Sequence, residues 1–212
     1  MRGLQAAGGA PLTAGDTEDG AVAAAPLPGR RIAVLATIVP IIYALDLGTK
    51  TLVLRTLEGR EPLVVIPDLL QFRVIFNSGA AFSLGTGMTI IFTCVAAAVV
   101  VAILRTARNL RSLPWAVTLS LLLGGALGNL TDRIFRWPSG FGPGRPSPFQ
   151  GHVVDFIETF PGHFPVWNVA DSAIVCGGIL AVLLAWRGYQ IDGTRDTGAT
   201  KDTKEAKENN DG

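Results

Sequence analysis

The chain has 212 residues, of which 49% are hydrophobic and 17% are charged, with a mean hydropathy of +0.39. This composition is too apolar for a typical soluble domain and predicts an integral membrane protein. The net charge of +1 argues against a nucleic-acid partner, because no basic surface is available to neutralise phosphates. Cys94 and Cys176 lie within apolar stretches, which indicates small buried residues rather than a disulfide or a nucleophile.

Four apolar stretches are long enough to cross a hydrocarbon core, which takes about 20 residues. They cover residues 32–53, 88–104, 115–134 and 166–186. We therefore predict an α-helical membrane domain with four transmembrane helices at residues 30–187. Residues 1–29 are rich in Ala, Gly and Pro, and residues 188–212 are polar, so we expect both tails to be disordered.

Arginines cluster at one end of the predicted spans. They precede the first span, crowd the connection between the second and third, and follow the fourth: Arg30, Arg31, Arg105, Arg108, Arg111 and Arg187. The positive-inside tendency predicts that this end, with both termini, is cytoplasmic. The connecting segments 54–87 and 135–165 would then face outward.

The first outer segment contains two short β-branched runs, at Leu63–Ile66 and at residues 72–76, separated by Pro67 and Asp68. Apolar runs bounded by turn residues predict strands. The second run ends in Asn77-Ser78-Gly79-Ala80-Ala81-Phe82, whose small side chains would let a substrate backbone approach closely. The alternative is a tight turn that leads into the second span.

Two aspartates in the second outer segment and the start of the fourth span are candidates for acid/base chemistry. Asp155 and Asp171 each lie in an apolar run, where a carboxylate is costly unless it is paired or solvated. With a rise of about 1.5 Å per residue, Asp46, Asn129 and Asp171 fall in the same outer layer of the membrane. Polar residues placed only for packing need not converge in this way.

Gly125, Asn129, Asp132 and Arg133 follow helical spacing and line one stripe of the third span. Gly125 would let a neighbouring helix come close. Arg133 is placed near the outer surface to hold a carboxylate or backbone carbonyls.

Each polar pair also has a structural interpretation. Asp46 and Lys50 are spaced i, i+4 and could simply neutralise each other. Asn168 and Asp171 match a capping box at the start of the fourth helix. Both interpretations stay open beside the functional one.

Two other classes of protein could use the same acids. A metal hydrolase could be built on His152, Asp155 and His163, but their spacing fits no standard zinc motif. A proton-coupled transporter could use intramembrane acids, but these gather at one face instead of forming a relay.

The ordered motifs resemble the lipoprotein signal peptidases, or signal peptidase II, over residues from about 32 to 186. They are Asp46-x-x-x-Lys50, Asn77-x-Gly79-Ala80-Ala81-Phe82, Gly125-x-x-x-Asn129-x-x-Asp132-Arg133, Val153-Val154-Asp155-Phe156 and Asn168-x-Ala170-Asp171. The chain departs from the family pattern in a Pro/Gly-rich insertion at residues 137–148, which predicts an irregular surface loop.

The resemblance implies an aspartyl endopeptidase of the bacterial plasma membrane, with four helices, a small extracytoplasmic β-cradle and an active site near the outer face. It implies cleavage of prolipoproteins on the amino side of a diacylglyceryl-modified cysteine, with Asp155 and Asp171 as the catalytic dyad. The residues that match the family's substrate-binding or positioning residues are Asn77, Gly125, Asn129, Arg133, Asn168, Asp46 and Lys50.

For its partners, the resemblance implies diacylglyceryl-modified prolipoproteins, membrane lipid and globomycin-type inhibitors. We expect no metal, no cofactor and no nucleic acid, and we expect the chain to act as a monomer. In such a dyad, one carboxylate takes a proton from water while the protonated partner donates to the scissile carbonyl oxygen. Which aspartate has which role stays open.

Overall fold

The computed structural model describes residues 30–79, 86–136 and 151–196, except for the side chains of residues 86–88. Four predicted features lie outside these residues: the N-terminal tail, residues 80–82 of the first-loop motif, the 137–148 insertion, and residues 197–212 of the C-terminal tail. The expectations for them therefore stay predictions.

Four long helices form the membrane domain, as predicted. They are α1 (Ile32–Leu57), α2 (Thr86–Thr106), α3 (Leu113–Phe135) and α4 (Val169–Trp186). Each contains a stretch that is long and apolar enough to span a membrane. The helix α1 continues four residues past the predicted end of its span, whereas α4 begins three residues later than predicted, because Asn168 caps it.

The helix α3 lies at the centre of the domain and packs against each of the other three helices. Its buried positions include several small residues, which let the neighbouring backbones come near. At the end of the domain where α2 and α3 connect, an apolar core fills the space between α1, α2 and α3. Its members include Leu35, Val39, Ile103, Leu119 and Leu123.

Two glycines of α3 mark the closest helix contacts. A Cβ atom on Gly124 would collide with the Ile42 side chain of α1. On Gly125, it would collide with the Ala170 carbonyl and the Ile174 side chain of α4. The predicted close approach at Gly125 is therefore present, and α4 is the helix that makes it.

A three-stranded antiparallel sheet lies beside the ends of the helices that carry the polar residues. Its strands, in spatial order, are β1 (Leu63–Ile66), β2 (Leu70–Asn77) and β3 (Val153–Thr159). The turn between β1 and β2 contains Asp68 with a φ of 59°, a conformation that Asp tolerates better than most residues. The predicted strand runs are confirmed, and a third strand, which the sequence analysis did not identify, carries Asp155.

The sheet is attached to the helices through a second apolar cluster. Val53 of α1 packs with Val154 and Phe156 of β3. The Phe72 ring of β2 lies with its centroid 6.2 Å from that of Phe156. Since Val154 and Phe156 flank Asp155, burial of these neighbours fixes the position of that aspartate.

Residues 188–196 form an ordered turn, so the prediction of a disordered tail from residue 188 is wrong for this part. The Ile191 carbonyl accepts hydrogen bonds from the backbone N–H groups of Arg111 and Ser112, at 3.0 and 3.1 Å. The Trp115 indole N–H donates to the Tyr189 carbonyl at 2.8 Å. The Ile191 side chain also packs against the apolar core. Polar composition concealed this turn, because backbone carbonyls and one isolated apolar residue make these contacts.

Cys94 and Cys176 are exposed on α2 and α4, so the prediction that they are buried is wrong. Apolar side chains surround both on the outer faces of these helices, among them Val95, Val175 and Ile179. A transmembrane helix is apolar on its lipid side as well as on its packed side, and its sequence therefore does not separate lipid contact from burial.

The helix contact at Gly125 gives a test with a built-in control. Gly125→Ala should destabilise the protein by about 1–3 kcal/mol, because the added methyl group meets the Ala170 carbonyl and the helices must separate. Gly178→Ala on α4 should not, because nothing lies within 4 Å of the position of its Cβ. Thermal unfolding in detergent measures both, and an equal loss in the two variants would contradict the proposed contact.

Candidate active site

The start of α4 positions the first of the two carboxylates. Asn168 precedes the helix, and its Oδ1 atom accepts a hydrogen bond from the Asp171 backbone N–H at 2.9 Å. In return, Asp171 Oδ2 accepts from the Asn168 backbone N–H at 3.2 Å. The capping-box interpretation is therefore correct, and the capping contact itself holds the Asp171 side chain in place.

The second carboxylate lies on β3 and shares a partner with the first. Asn168 uses its Nδ2 atom to donate to Asp155 Oδ1 at 2.7 Å. Asn77, at the end of β2, donates to Asp155 Oδ2 at 2.8 Å. One asparagine thus contacts both aspartates, and Asp155 is only 2% exposed.

Asn129 of α3 connects Asp171 to a buried lysine. Its Nδ2 atom donates to Asp171 Oδ1 at 2.7 Å, and its Oδ1 atom accepts from Lys50 Nζ at 3.0 Å. Because an ammonium group only donates, the amide oxygen of Asn129 must face Lys50 and its nitrogen must face Asp171. The lysine thereby fixes the orientation of a group that contacts the candidate dyad.

Lys50 belongs to a buried cluster of four charged side chains. Its Nζ atom lies 2.7 Å from Asp46 Oδ2 and 2.8 Å from Asp132 Oδ2. Arg136 Nε lies 2.6 Å from Asp132 Oδ1. The two cations balance the two anions, and no member is more than 1% exposed. The predicted pairing of Asp46 with Lys50 is present, as part of this larger cluster.

The same cluster holds the segments that carry the two aspartates. Asp46 Oδ1 accepts from the Ala170 backbone N–H at 2.9 Å, next to Asp171. Asp132 Oδ2 accepts from the Val154 backbone N–H at 3.3 Å, next to Asp155. Each carboxylate of the cluster therefore contacts the residue that precedes a member of the candidate dyad.

Arg133 lies near the aspartates but makes a different contact from the one predicted. Its guanidinium carbon stacks 5.5 Å from the centroid of the Phe92 ring. Its nearest charged neighbours are acidic, Asp155 and Asp171 among them. Its Nη1 atom is buried and has no hydrogen-bond partner among the described residues. Arg133 thus contributes positive charge next to the candidate dyad.

The environment of Asp155 favours a shared proton. Burial raises the pKa of its carboxyl to about 6, against the opposing effect of the hydrogen bond from Asn77. This value also includes the negative charge of Asp171, which raises the pKa, and the hydrogen bond from Asn168, which lowers it. A carboxyl with a pKa near 6 is suited to holding or releasing a proton close to neutral pH.

A cavity of about 610 Å³ opens onto Asp155. Strand β2 forms one wall with Arg73, Ile75 and Asn77, and the segment after β3 forms another. The residues of the second wall include Gly162, His163, Phe164, Pro165 and Val166. The volume is in the range of small-molecule and peptide sites.

His152, Asp155 and His163 do not converge on one point. In the described parts of the chain, no three His, Cys, Asp or Glu side chains are grouped so that they could hold a metal ion. His163 lies in the exposed turn after β3, where its Nδ1 atom is 3.1 Å from the Pro161 carbonyl oxygen. The metal-hydrolase alternative therefore finds no ligand set there.

Three residues that position the site could not be assigned that role from the sequence. Asp132 was recognised only as a member of the α3 stripe and of the family motif, and Arg136 was not singled out. Gly151 lies so close to the end of α3 that a Cβ atom would collide with the carbonyls of Asp132, Arg133 and Arg136. The i, i+4 spacing of Asp132 and Arg136 was the one available signal.

Comparison with known proteins identifies similar sequences and structures. A family model described as signal peptidase (SPase) II matches residues 38–187. A lipoprotein signal peptidase of Streptomyces coelicolor is 58% identical over 165 residues, which cover 78% of this chain and 76% of that protein. One of Rhodococcus jostii is 46% identical over 180 residues, which cover 85% of this chain and 86% of that protein.

Two solved structures have a similar fold. Both are described as bacterial membrane enzymes, determined at 1.9 and 2.3 Å resolution. The first is 28% identical with a TM-score of 0.63, and the match covers 76% of this chain and 97% of that chain. The second is 27% identical with a TM-score of 0.60, and the match covers 76% and 93%.

The charge cluster predicts a large effect from one substitution. Lys50→Met should destabilise the protein by about 3–5 kcal/mol, because it leaves Asp46 and Asp132 with an uncompensated buried charge. Arg55→Met removes an exposed cation from the same helix and should have little effect. Yield of folded protein and thermal unfolding in detergent measure both, and a Lys50→Met protein as stable as Arg55→Met would contradict the role of the cluster.

Proposed function

The chain belongs to the signal peptidase II family, and from this premise we propose that Asp155 and Asp171 are its catalytic dyad. It is an aspartic peptidase of the membrane that removes signal peptides from prolipoproteins. The observation that carries the proposal is the shared partner Asn168, which donates to Asp155 and caps the helix whose third residue is Asp171. The two carboxyls are thereby held on either side of one residue, and a cavity opens onto Asp155.

The dyad performs the reaction by exchanging protons with one water molecule. The ionised carboxylate takes a proton from the water molecule. At the same time, the water oxygen attacks the carbonyl carbon of the residue that precedes the cysteine. The protonated carboxyl donates its proton to the carbonyl oxygen, which gives a neutral tetrahedral intermediate. When the C–N bond breaks, the carboxyl that took the proton from water gives it to the nitrogen of the cysteine, and the other carboxylate takes a proton back from a hydroxyl group of the intermediate. The signal peptide leaves with a new carboxyl group, and the dyad again carries one proton.

Two features favour a single proton on the dyad. Like charges that are close together do not both ionise easily, and Asp171 is one of the causes of the raised pKa of Asp155. The positive charge of Arg133 interacts with both aspartates and favours their ionised forms, so it keeps one of the two carboxyls ionised while the other holds the proton. The proton belongs to the pair, and neither aspartate is assigned to one role alone.

The substrate is a prolipoprotein whose cysteine carries a diacylglyceryl group, cleaved on the amino side of that cysteine. Asp171 lies at the third position of a helix that can span the membrane, so the scissile bond is held at the edge of the hydrocarbon layer. Acyl chains can stay in the bilayer there, and each buried methylene contributes about 0.8 kcal/mol to binding.

The end of the domain opposite the dyad is the cytoplasmic one, and both termini lie there. The Arg31 backbone N–H donates to the Leu110 carbonyl at 2.9 Å, which joins the start of α1 to the connection between α2 and α3. Residues 188–196 pack against the same connection. Arginines concentrate at this end, which supports the orientation by the positive-inside tendency, and the dyad then faces outward from the bacterial plasma membrane.

The remaining expectations are part of the same proposal. Residues 30–187 form the peptidase domain, and its outer segments are 54–87 and 135–165. The protein acts as a monomer, because one chain supplies both aspartates and the partners described for them. Globomycin-type inhibitors bind in the cavity next to Asp155, in competition with the substrate.

The dyad is tested by removing one carboxylate at a time. Asp155→Asn and Asp171→Asn should each reduce cleavage of a diacylglyceryl-modified prolipoprotein by at least a thousandfold, because neither amide can exchange the proton. Asp68→Asn, in the exposed turn between β1 and β2, should retain activity, since Asn accepts the same backbone conformation. Purified proteins in detergent, compared by rate of signal-peptide release, give the measurement.

Near-normal turnover by either dyad variant would overturn the assignment of that aspartate. The same assay with an unlipidated precursor tests the role of the lipid in the wild-type protein. Equal rates on the two forms would contradict recognition through the acyl chains.

The pKa of Asp155 predicts how activity depends on pH. The active state carries one proton on the dyad, so kcat/KM should fall as the pH rises above about 6, the pKa of Asp155, where the pair loses this proton. The hydrogen bond from Asn77 lowers this pKa. Asn77→Ala removes it and should shift the alkaline limb of the profile to higher pH, whatever the change in the maximal rate.

Asn109→Ala is the control for the pH profile. Asn109 is exposed at the opposite end of the domain and should leave the alkaline limb unchanged. An alkaline limb that moves to lower pH in Asn77→Ala, or that moves equally in both variants, would contradict the assigned hydrogen bond.

A further inference from the structure

The cavity that opens onto Asp155 extends along the sheet to a second charged pair. Arg73 of β2 and Glu158 of β3 line it together with Asp155 and Asn77. The Arg73 Nε atom lies 2.7 Å from Glu158 Oε2. Neither residue takes part in the proton transfers described above.

The two members of this pair differ in how fully their polar atoms are used. Glu158 is 2% exposed, and it also accepts from Gln71 Nε2 at 2.6 Å and from the Gly162 backbone N–H at 3.4 Å. The Arg73 side chain is 42% exposed, and its Nε atom lies at ion-pair distance from Glu158 but makes no hydrogen bond with a described residue. The carboxylate is therefore satisfied within the protein, whereas the guanidinium group can still donate hydrogen bonds.

An irregularity in the sheet lies at the position of Arg73. Strand β2 has one more residue than β3 between the pairs Phe72↔Ile157 and Ile75↔Asp155. Such a β-bulge changes the direction of side chains and is common next to active sites. The bulge lies at Arg73, which lines the cavity on β2 beside strand β3, the strand that carries Asp155.

The distance along the sheet sets which part of a substrate would meet this arginine. Glu158 is three positions after Asp155 on β3, which corresponds to about 10 Å at 3.3 Å per residue. An extended peptide with its scissile bond at Asp155 would reach the pair with its third or fourth residue. The apolar signal segment is unlike a ligand for this part of the cavity, because it would remove the charged pair from water without forming a polar contact with it. The mature side of the scissile bond is therefore the part of the substrate that would extend toward Arg73.

We propose that Arg73 is a specificity-determining residue that binds an acidic side chain at the third or fourth position of the mature lipoprotein, counted from the cysteine. The inference rests on the proposed function and adds a subsite on the mature side of the scissile bond. Arginine suits this role because its planar guanidinium group can pair with a second carboxylate while Nε stays with Glu158.

The test uses diacylglyceryl-modified substrates that differ in one residue, with Asp, Asn or Lys at the third position or, in a second set, at the fourth. In the wild-type protein, kcat/KM should be roughly fivefold higher for Asp than for Lys at one of these positions, the size expected of an exposed ion pair. The difference should lie mainly in KM. In Arg73→Gln this ratio should fall to about one, and in Arg73→Lys a preference for Asp should remain.

The control is Arg60→Gln, which removes an exposed arginine from the same outer segment but outside the cavity. It should keep the wild-type ratio. Because each ratio is taken within one protein, a change in the folded fraction of a variant cancels. High salt should also reduce the wild-type preference by screening the pair.

Equal kcat/KM values for the three substrates at both positions in the wild-type protein would overturn the inference. So would a preference for Asp that persists in Arg73→Gln. Both outcomes leave the proposed function intact, whereas a wild-type protein that cleaves none of the lipidated substrates would contradict the proposed function itself.

Discussion

The contact of Lys50 with two carboxylates and an amide is the interaction on which the arrangement of the site depends. Its ammonium group contacts Asp46, Asp132 and Asn129, in a region with almost no access to water. Taking these charges out of water costs several kcal/mol each, which their mutual attraction offsets only when the geometry is good. An apolar cluster of the same volume could hold the helices together, but it could not orient Asn129 or accept the backbone N–H groups of Val154 and Ala170. The charged residues thus provide positional precision at two backbone positions, each next to an aspartate of the proposed dyad.

Much of the fold could be predicted from the sequence, because each helix is long and strongly apolar and each strand run is bounded by turn residues. Strand β3 was the exception, although it carries Asp155. Its run Val153–Thr159 contains two acids, and its pairing with β2 joins residues that are between 76 (Asn77 and Val153) and 89 (Leu70 and Thr159) positions apart, so no local pattern identifies it. The turn at residues 188–196 was missed for a related reason, since the groups that hold it are mainly backbone carbonyls, which every residue has, together with the Ile191 side chain.

The candidate site was predictable as a set of residues but not as a network. The depths calculated along the helices placed Asp46, Asn129 and Asp171 in one layer of the membrane. In the structure, Asn129 donates to Asp171, and Lys50 connects Asn129 to Asp46. The sequence did not reveal that Asn168 contacts both aspartates, or that Asp132 contacts β3, because these depend on how α3, α4 and the sheet pack. Arg133 shows the limit of helical phase, which predicts the face of a side chain but not its partner. Capping and catalysis were treated as alternatives for Asn168 and Asp171, whereas the capping geometry is compatible with the proposed catalytic role.

The main-chain contacts between the end of α3 and the start of β3 have a consequence for how this fold can vary. The Gly151 N–H donates to the Arg133 carbonyl at 2.8 Å, and the His152 N–H donates to the Arg136 carbonyl at 3.2 Å. The chain therefore leaves α3 at Arg136 and returns to the same end of the helix at Gly151. The hydrogen bonds there involve only main-chain atoms, and the one side-chain requirement is that residue 151 is glycine, since a Cβ atom would not fit. A junction closed in this way tolerates segments of many lengths, because the entropy of loop closure changes slowly with length. It is a position at which related peptidases can gain or lose residues while the register of β3, and with it the position of Asp155, stays the same.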